Sequence, residues 1–298
     1  MTVPPSDFAS HHAAVVVRAA HKRGLDTGNL RLLHQHATAV YLLPHCDVVA
    51  RLHTGDPAPA LRAVAITRWL NDQDFPAVAP LPGVDPVIDE EHVTTFWHHY
   101  PASHPPAHAD PADLGRLLRR LHGLPPAPLE LPAYHPLVSL RAALANCTCL
   151  TDTDRTWLTD TAATLLADFE RLDFPLGRGQ LHGDAYPGNM LHDPSTGTWL
   201  LSDWDETATG PRELDLANTY QGVRVGRTTA DLDRFATAYG HDLRTWPGLA
   251  TLIRIRDLHT LGSFIHRADQ GDQDAATELR HRLHVLRHAG FLIPWHHI

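Results

Sequence analysis

The chain has 298 residues, 43% hydrophobic and 20% charged, which is the composition of a folded globular protein. A formal net charge of −9 argues against a nucleic-acid partner, and no apolar run approaches the ~18 residues that a membrane span needs. The polar N-terminus does not read as a secretory signal, and Cys46, Cys147 and Cys149 show no zinc-site spacing, so free thiols in a reducing cytoplasm are expected.

Residues 8–22 read as a short helix. Leu30 to Leu33, Ala39 to Leu43 and Val48 to Leu52 are short apolar runs between polar breaks, the pattern of an antiparallel meander. Pro59 to Asn71 has helical spacing, with Leu61, Val64, Ala65 and Trp69 on one side. Two short strands follow, Val87–Ile88 and His92–Trp97, among punctuating prolines. Residues 101–112, rich in Pro, Ala and His, read as a linker. Helices are expected over Asp113–His122, Leu137–Asn146 and Asp154–Leu172, with Asp152 or Asp154 as the cap of the last. After residue 206 come Glu213–Gly222, Thr229–Tyr239, Leu249–Ala268 and Asp274–Ala289. The expected class is α+β: a β-rich part over 1–100, the linker at 101–112 and a mainly helical part over 113–298.

Histidine is abundant, at 24 residues. The tightest groupings are His34/His36, His98/His99 and His281/His284/His288, and none forms a metal-binding motif. Scattered surface histidines are expected.

The stretch from His182 to Glu206, HGDAYPGNMLHDPSTGTWLLSDWDE, carries most of the chemistry. Met190–His192 and Thr198–Ser202 flank the turn sequence Asp193-Pro194-Ser195-Thr196-Gly197, which makes a hairpin centred near Thr196. Closing it brings Asn189 and Asp203 side by side at the open end. An amide oxygen and a carboxylate there suit Mg2+, a hard cation that prefers oxygen ligands and keeps several waters. Asp184 stands five residues before Asn189 and two after His182, the H-x-D-x-x-x-x-N spacing of a phosphoryl-transfer loop.

HGDAYPGNML and LLSDWDETATGPRELDLA together resemble the catalytic-loop and metal-binding segments of the aminoglycoside phosphotransferase family, which includes choline kinase-like enzymes and has the two-lobed protein-kinase fold. The resemblance implies Asp184 as catalytic base, Asn189 and Asp203 as Mg2+ ligands, and Asp215 and His182 as supports beneath the loop. LRLLHQHATAVYLLP, with Thr38, looks like the nucleotide-covering hairpin, and VVARL, with Arg51, like the next strand. VTTFWHHYP, with Phe96, Trp97 and His98, looks like the strand and hinge that receive the base. The implied activity moves the γ-phosphoryl of ATP or GTP to a hydroxyl on a small molecule, an antibiotic or a metabolite. Residues 137–175 and 249–290 are expected to build the acceptor pocket.

Two features depart from the family pattern. Arg51 stands where a lysine is usual, and Lys22 is the only lysine in the chain. Ala63 takes the place of that lysine's glutamate partner. The loop Gln35 to Val40 has no glycine, which relatives in the family also do without. Arg51 is therefore expected to pair with some other acid, or to lie loosely until nucleotide arrives. These departures keep a second reading open, a nucleotide-binding pseudokinase-like protein without transfer activity. WLLSDWDET also matches a dehalogenase-type phosphatase start, with Asp203 as nucleophile and Asp205 as acid, but such enzymes need a later lysine. A serine hydrolase fits more poorly still, because no G-x-S-x-G occurs. Asp205 and Glu206 read as hydrogen-bonded neighbours, Trp97 and Trp204 as core aromatics, and Cys147 and Cys149 as packing.

Overall fold

The structure, a computed structural model, describes residues 5–35, 38–103, 107–288 and 295, with side chains from residue 11 onward. His36, two residues of the loop 35–40, part of the linker 101–112 and the end of the last expected helix at Ala289 lie outside the described residues. In chain order the first elements are α1 (Pro5–Lys22), β1 (Arg31–Gln35), β2 (Ala39–Leu43), β3 (Val48–Thr54), α2 (Ala58–Asp72), β4 (Val87–Asp89) and β5 (His92–His98). Next come α3 (Pro111–Gly123), α4 (Val138–Asn146), α5 (Asp152–Glu170), β6 (Arg178–Leu181), β7 (Met190–Asp193), β8 (Thr198–Leu201) and β9 (Ala208–Pro211). The rest are helical: α6 (Glu213–Gln221), α7 (Thr229–Tyr239), α8 (Leu249–His259), α9 (Leu261–Asp269) and α10 (Gln273–His288). The chain divides into two compact units, one of Met1–Ala109, Pro125–Leu131 and Gly188–Thr207, the other of Asp110–Leu124, Pro132–Pro187 and Ala208–Ile298. No helix among the described residues is long and apolar enough to cross a membrane.

The first unit is built on an antiparallel sheet of order β1-β2-β3-β5-β4. Val48, Ala50 and Leu52 of β3 pack with Val15, Val16, Ala19 and Ala20 of α1, together with Tyr41, Leu43 and Phe96. Strand alternation then turns Arg51 to the opposite face. This single fact of register delivers a guanidinium to one side of the sheet while its neighbours fill the core on the other.

The β7–β8 hairpin pairs Met190 with Leu201 and Asp193 with Thr198. Its centre therefore lies between Ser195 and Thr196, and Asn189 stands opposite Ser202 rather than Asp203, a shift of one residue from the expectation. The cause is the turn. The Asp193 carboxylate accepts from the Ser195 N–H (2.9 Å), the Ser195 hydroxyl (2.6 Å) and the Thr196 hydroxyl (2.9 Å). Gly197 takes φ +70° and donates to the Asp193 carbonyl. This closes a loop over 194–197 and so sets the register.

The second unit is mainly helical. Asp110 caps α3, with Asp113 returning the bond to the cap's N–H and Pro111 in the first turn. Gly115 allows α3 to approach α7 closely, because a Cβ there would stand 2.7 Å from the Phe235 carbonyl oxygen. The cap of α5 is Thr151, not Asp152 or Asp154; its hydroxyl takes the Asp154 N–H and leaves both aspartates in the first helical turn. The single helix expected over 249–268 is two. At the break, the Thr260 hydroxyl donates back to the Asp257 carbonyl at 2.9 Å, a local bond that bends helices. Strands β6 and β9 were not legible beforehand. Each is four residues long, carries glycine, and exists because it pairs with the other.

Trp204 is 1% exposed, meets Phe75 edge-on at 5.9 Å between ring centroids, and donates its indole N–H to the Leu201 carbonyl at 3.0 Å. Trp204→Ala is expected to lower unfolding free energy by about 3–5 kcal/mol, measured as the shift in urea midpoint. Trp204→Phe should fall between the two, since it keeps most of the packing.

Candidate active site

In the second unit, β6 ends at a fully buried Leu181 and the chain turns through His182-Gly183-Asp184. The turn is held from below by Asp215, in the first turn of α6. Asp215 is 0% exposed, and its carboxylate accepts the N–H of His182 at 2.9 Å and of Gly183 at 2.8 Å. It also bonds His122 Nε2 at 3.0 Å, whose Nδ1 meets the Tyr239 hydroxyl at 2.9 Å. Burial alone would push the Asp215 carboxyl up, but His122 and these donors outweigh it and hold the group below the usual aspartate value. Gly183 has φ +89°, a backbone state that favours glycine and fits the H-G-D sequence. His182 is completely buried, and its Nδ1 accepts the Asp184 N–H at 3.2 Å.

Asp184 itself is reached from α8. Arg256 Nη2 donates to Asp184 Oδ1 at 2.5 Å, and Asn218 Nδ2 lies 3.4 Å from the same oxygen. His122, Asn218 and Arg256 were not found from the sequence. His122 has a weak signal, since it falls on the buried face of α3 beside Leu118 and Leu121. Arg256 and Asn218 have none, being polar residues in helices whose packing the sequence does not display.

In the first unit, Arg51 does pair with acids, as expected. Its Nη2 donates to Asp203 Oδ1 at 2.7 Å and to Asp205 Oδ2 at 3.1 Å. Asp205 is pushed up to about 6 by burial and by the Asp203 and Glu206 carboxylates, with Arg51 opposing. His53, beside Asp205 at 3.7 Å, is driven down to about 4 by burial and by Arg51. Asp203 adopts φ +63°, a left-handed state that aspartate tolerates better than most residues. From α2, Ala63 is buried and adds no charge, while its neighbour Arg62 donates to the Asp205 carbonyl at 3.1 Å. Asn189 is 7% exposed, and its carbonyl accepts both the N–H and the hydroxyl of Ser202, at 2.8 and 2.9 Å. Asn189 is thereby tied to the residue next to Asp203.

The donor set suits Mg2+. Asn189, Asp203 and Asp205 offer only oxygen and amide groups, and Asp205 Oδ1 is buried with no hydrogen-bond partner among the described residues. No group of three His, Cys, Asp or Glu side chains among the described residues is arranged as a protein-only metal cage. The residues expected around nucleotide are placed unequally. Trp97 shares the Arg51 face of the sheet and donates its indole N–H to Thr95 Oγ1 at 2.8 Å. Phe96 lies in the core on the other face, His98 is exposed at the end of β5, and Thr38 is half-buried just before β2. Trp204 and Cys147 are core residues as read, whereas Cys149 is exposed.

The family model described as the phosphotransferase enzyme family matches residues 30–252. A search of curated proteins finds no match. Among solved structures, the chain is similar to an amicoumacin kinase, hAmiN, solved with AMP-PNP, Ca2+ and Ami, at 13% identity and TM-score 0.71, covering 96% of this chain and 98% of that one. It is similar to the aminoglycoside phosphotransferase APH(3'')-Id of Streptomyces rimosus at 20% identity and TM-score 0.59, covering 83% and 98%. It is also similar to choline kinase LicA of Streptococcus pneumoniae at 14% identity and TM-score 0.60, covering 91% and 99%. These likenesses establish the kinase-like α+β fold.

Asp215→Ala is expected to cost about 3–5 kcal/mol, because it strands His122 and the loop N–H groups in a buried site. The pH dependence follows from the sign of the shift. A carboxyl held below its ordinary value of 3.8 contributes in full above that pH, and the contribution is lost as pH falls through the lower folded value. Urea midpoints taken from pH 7 downward should show wild type losing stability in that acidic window more steeply than Asp215→Asn.

Proposed function

We infer, for a chain that belongs to the phosphotransferase enzyme family, that it transfers the γ-phosphoryl group of ATP or GTP to a hydroxyl of a small molecule. The observation that carries this reading is the turn at Gly183. It presents Asp184 on a loop braced by Asp215, five residues before an Asn189 tied to the residue preceding Asp203. The acceptor oxygen attacks the γ-phosphorus and forms a new P–O bond. The bond from that phosphorus to the β–γ bridging oxygen breaks, the nucleoside diphosphate leaves, and the hydroxyl proton passes to Asp184. Mg2+, held by Asn189 and Asp203, would neutralise charge on the donor phosphates. Thr38 and Trp97 are assigned to the nucleotide, as are Phe96 and His98 through their strand. Arg51 takes over phosphate contact once nucleotide draws it from Asp203 and Asp205. The acceptor class most consistent with the relatives is an antibiotic, since two of those named above are antibiotic kinases; a choline-like metabolite is the other.

One observation favours the non-transferring alternative. Arg51 sits on Asp203 itself, where an active enzyme needs a carboxylate available to metal. A screen of labelled phosphate transfer from Mg·ATP and Mg·GTP over aminoglycosides, other hydroxylated antibiotics, choline and amino alcohols decides between the two. With an accepted substrate, Asp184→Asn should lower kcat by roughly 10²-fold or more while nucleotide still binds, the scale of general-base help. Near-normal kcat in that variant would remove Asp184 from the role.

Arg51 yields effects of opposite sign on the two ligands. Arg51→Ala should weaken nucleotide binding by about tenfold or more, because charge-assisted bonds to phosphate are lost. The same change should strengthen binding of Mg2+ alone, since Asp203 and Asp205 then lose their resident cation. Calorimetric titration of each ligand into both proteins reads the two signs separately.

A further inference from the structure

Asp215 anchors the catalytic loop through its N–H groups, and a second, oppositely charged clamp acts on the same residues. Arg256 Nη1 lies 3.5 Å from the Gly183 carbonyl oxygen, while its Nη2 donates to Asp184 Oδ1 at 2.5 Å. One guanidinium therefore grips a backbone carbonyl and the following side chain. Gly183 is held on both sides of its residue: its N–H by a buried carboxylate on α6, its carbonyl by a buried cation on α8. The Arg256 side chain is 8% exposed, and Asp184 is 28% exposed. The cation is thus the enclosed partner, and the carboxylate is the one open to a substrate.

Arg256 is itself built in. Ile255 and Leu258 on either side of it are core residues. The next residue, Asp257, is 0% exposed and accepts from Arg224 Nη2 at 2.8 Å and from Gln221 Nε2 at 3.0 Å. Arg224 is 2% exposed. A buried charge pair of this kind costs desolvation and is weak as a source of stability, but it fixes geometry, because either partner alone would be stranded. Its effect here is to fix the end of α8, and with it the starting point of the Arg256 side chain. The helix then breaks at Thr260, whose N–H donates to the Arg256 carbonyl.

We propose that Arg256 is the positioning residue of the base: it locks the Asp184 carboxylate in one orientation and so sets where the acceptor hydroxyl must stand. This rests on the reading of Asp184 as base. A planar fork suits the task, because one side chain reaches both the carbonyl and the carboxylate with fixed geometry; a lysine offers a single point charge.

The test uses the full chain with Mg·ATP and water as the probe acceptor, following single-turnover hydrolysis, and crystal structures of wild type and Arg256→Ala. Asp184 is open enough to hydrate, so the truncation leaves no sealed charge; thermal melts of Arg256→Ala and Arg256→Lys check that both fold. Arg256→Ala should lower the hydrolysis rate at least tenfold while the ATP KM stays within about twofold. Arg256→Lys should recover part of the rate, and added guanidinium should restore part of it to Arg256→Ala. In an Asp184→Asn background the Arg256→Ala change should cost nothing further, because a residue acting only through Asp184 has nothing left to position. In the crystal structure of Arg256→Ala the Asp184 carboxylate should leave its wild-type place. An equal loss in both backgrounds, or a carboxylate that stays put, overturns the proposal. Normal hydrolysis by Asp184→Asn alone instead overturns the base reading. If water proves unreactive even in wild type, the crystal structures alone decide.

Discussion

The Asp215 carboxylate is the constraint on which the turn at His182–Asp184 depends. A carboxylate with no exposure is costly unless its oxygens are met by donors, and here the donors are the loop's own His182 and Gly183 N–H groups, with His122. The solution is reciprocal. The loop satisfies the acid, and the acid holds the loop in a turn whose φ of +89° falls at a glycine. His122 carries the link on to Tyr239, so α3, α6 and α7 all have a stake in the position of one turn. A network of this kind is worth most when complete, since each missing member strands the others in a low-dielectric interior.

Electrostatics in the first unit follow a different logic. Arg51, Asp203 and Asp205 form a compact group in which one guanidinium serves two carboxylates. Asp205 pays more of the burial, which is why it is pushed up to about 6, while Asp203 is 44% exposed and stays accessible. Where a lysine–glutamate pair is usual, Arg51 here takes its counter-charge from Asp203 and Asp205. Arg62, adjacent to the position where the glutamate would stand, adds a second guanidinium at the Asp205 carbonyl.

Charge alternates in the second unit too. Asp215 lies beneath the loop, Arg256 reaches it from α8, and Asp257 and Arg224 pair one step further along. Arg256 pairs with Asp184 and Arg224 with Asp257. An arginine can serve two acceptors at once, as Arg51 and Arg256 do here.

By itself the sequence determined what depends on local pattern. The meander over residues 31–54 follows from apolar runs set between breaks, and α3 and α7 fall where helices were expected, over 113–122 and 229–239. The hairpin within the 182–206 stretch was legible because a turn signal lies between its two short apolar runs. The missing glutamate left two outcomes open for Arg51, another acid or a loose side chain, and the structure shows the first. The tertiary structure decided the rest. It set the hairpin register one residue away from the expected one, because the Asp193 side chain fixed the loop length. It made β6 and β9, which have no strand pattern of their own, and it turned Phe96 into the core while Trp97 took the Arg51 face. It also brought Asn218 and Arg256 to Asp184, and His122 to Asp215, from positions 34 to 93 residues away. No short-range pattern marks such residues. Their pairing depends on where helices end and how they pack, which is a property of the whole fold and not of any window of the chain.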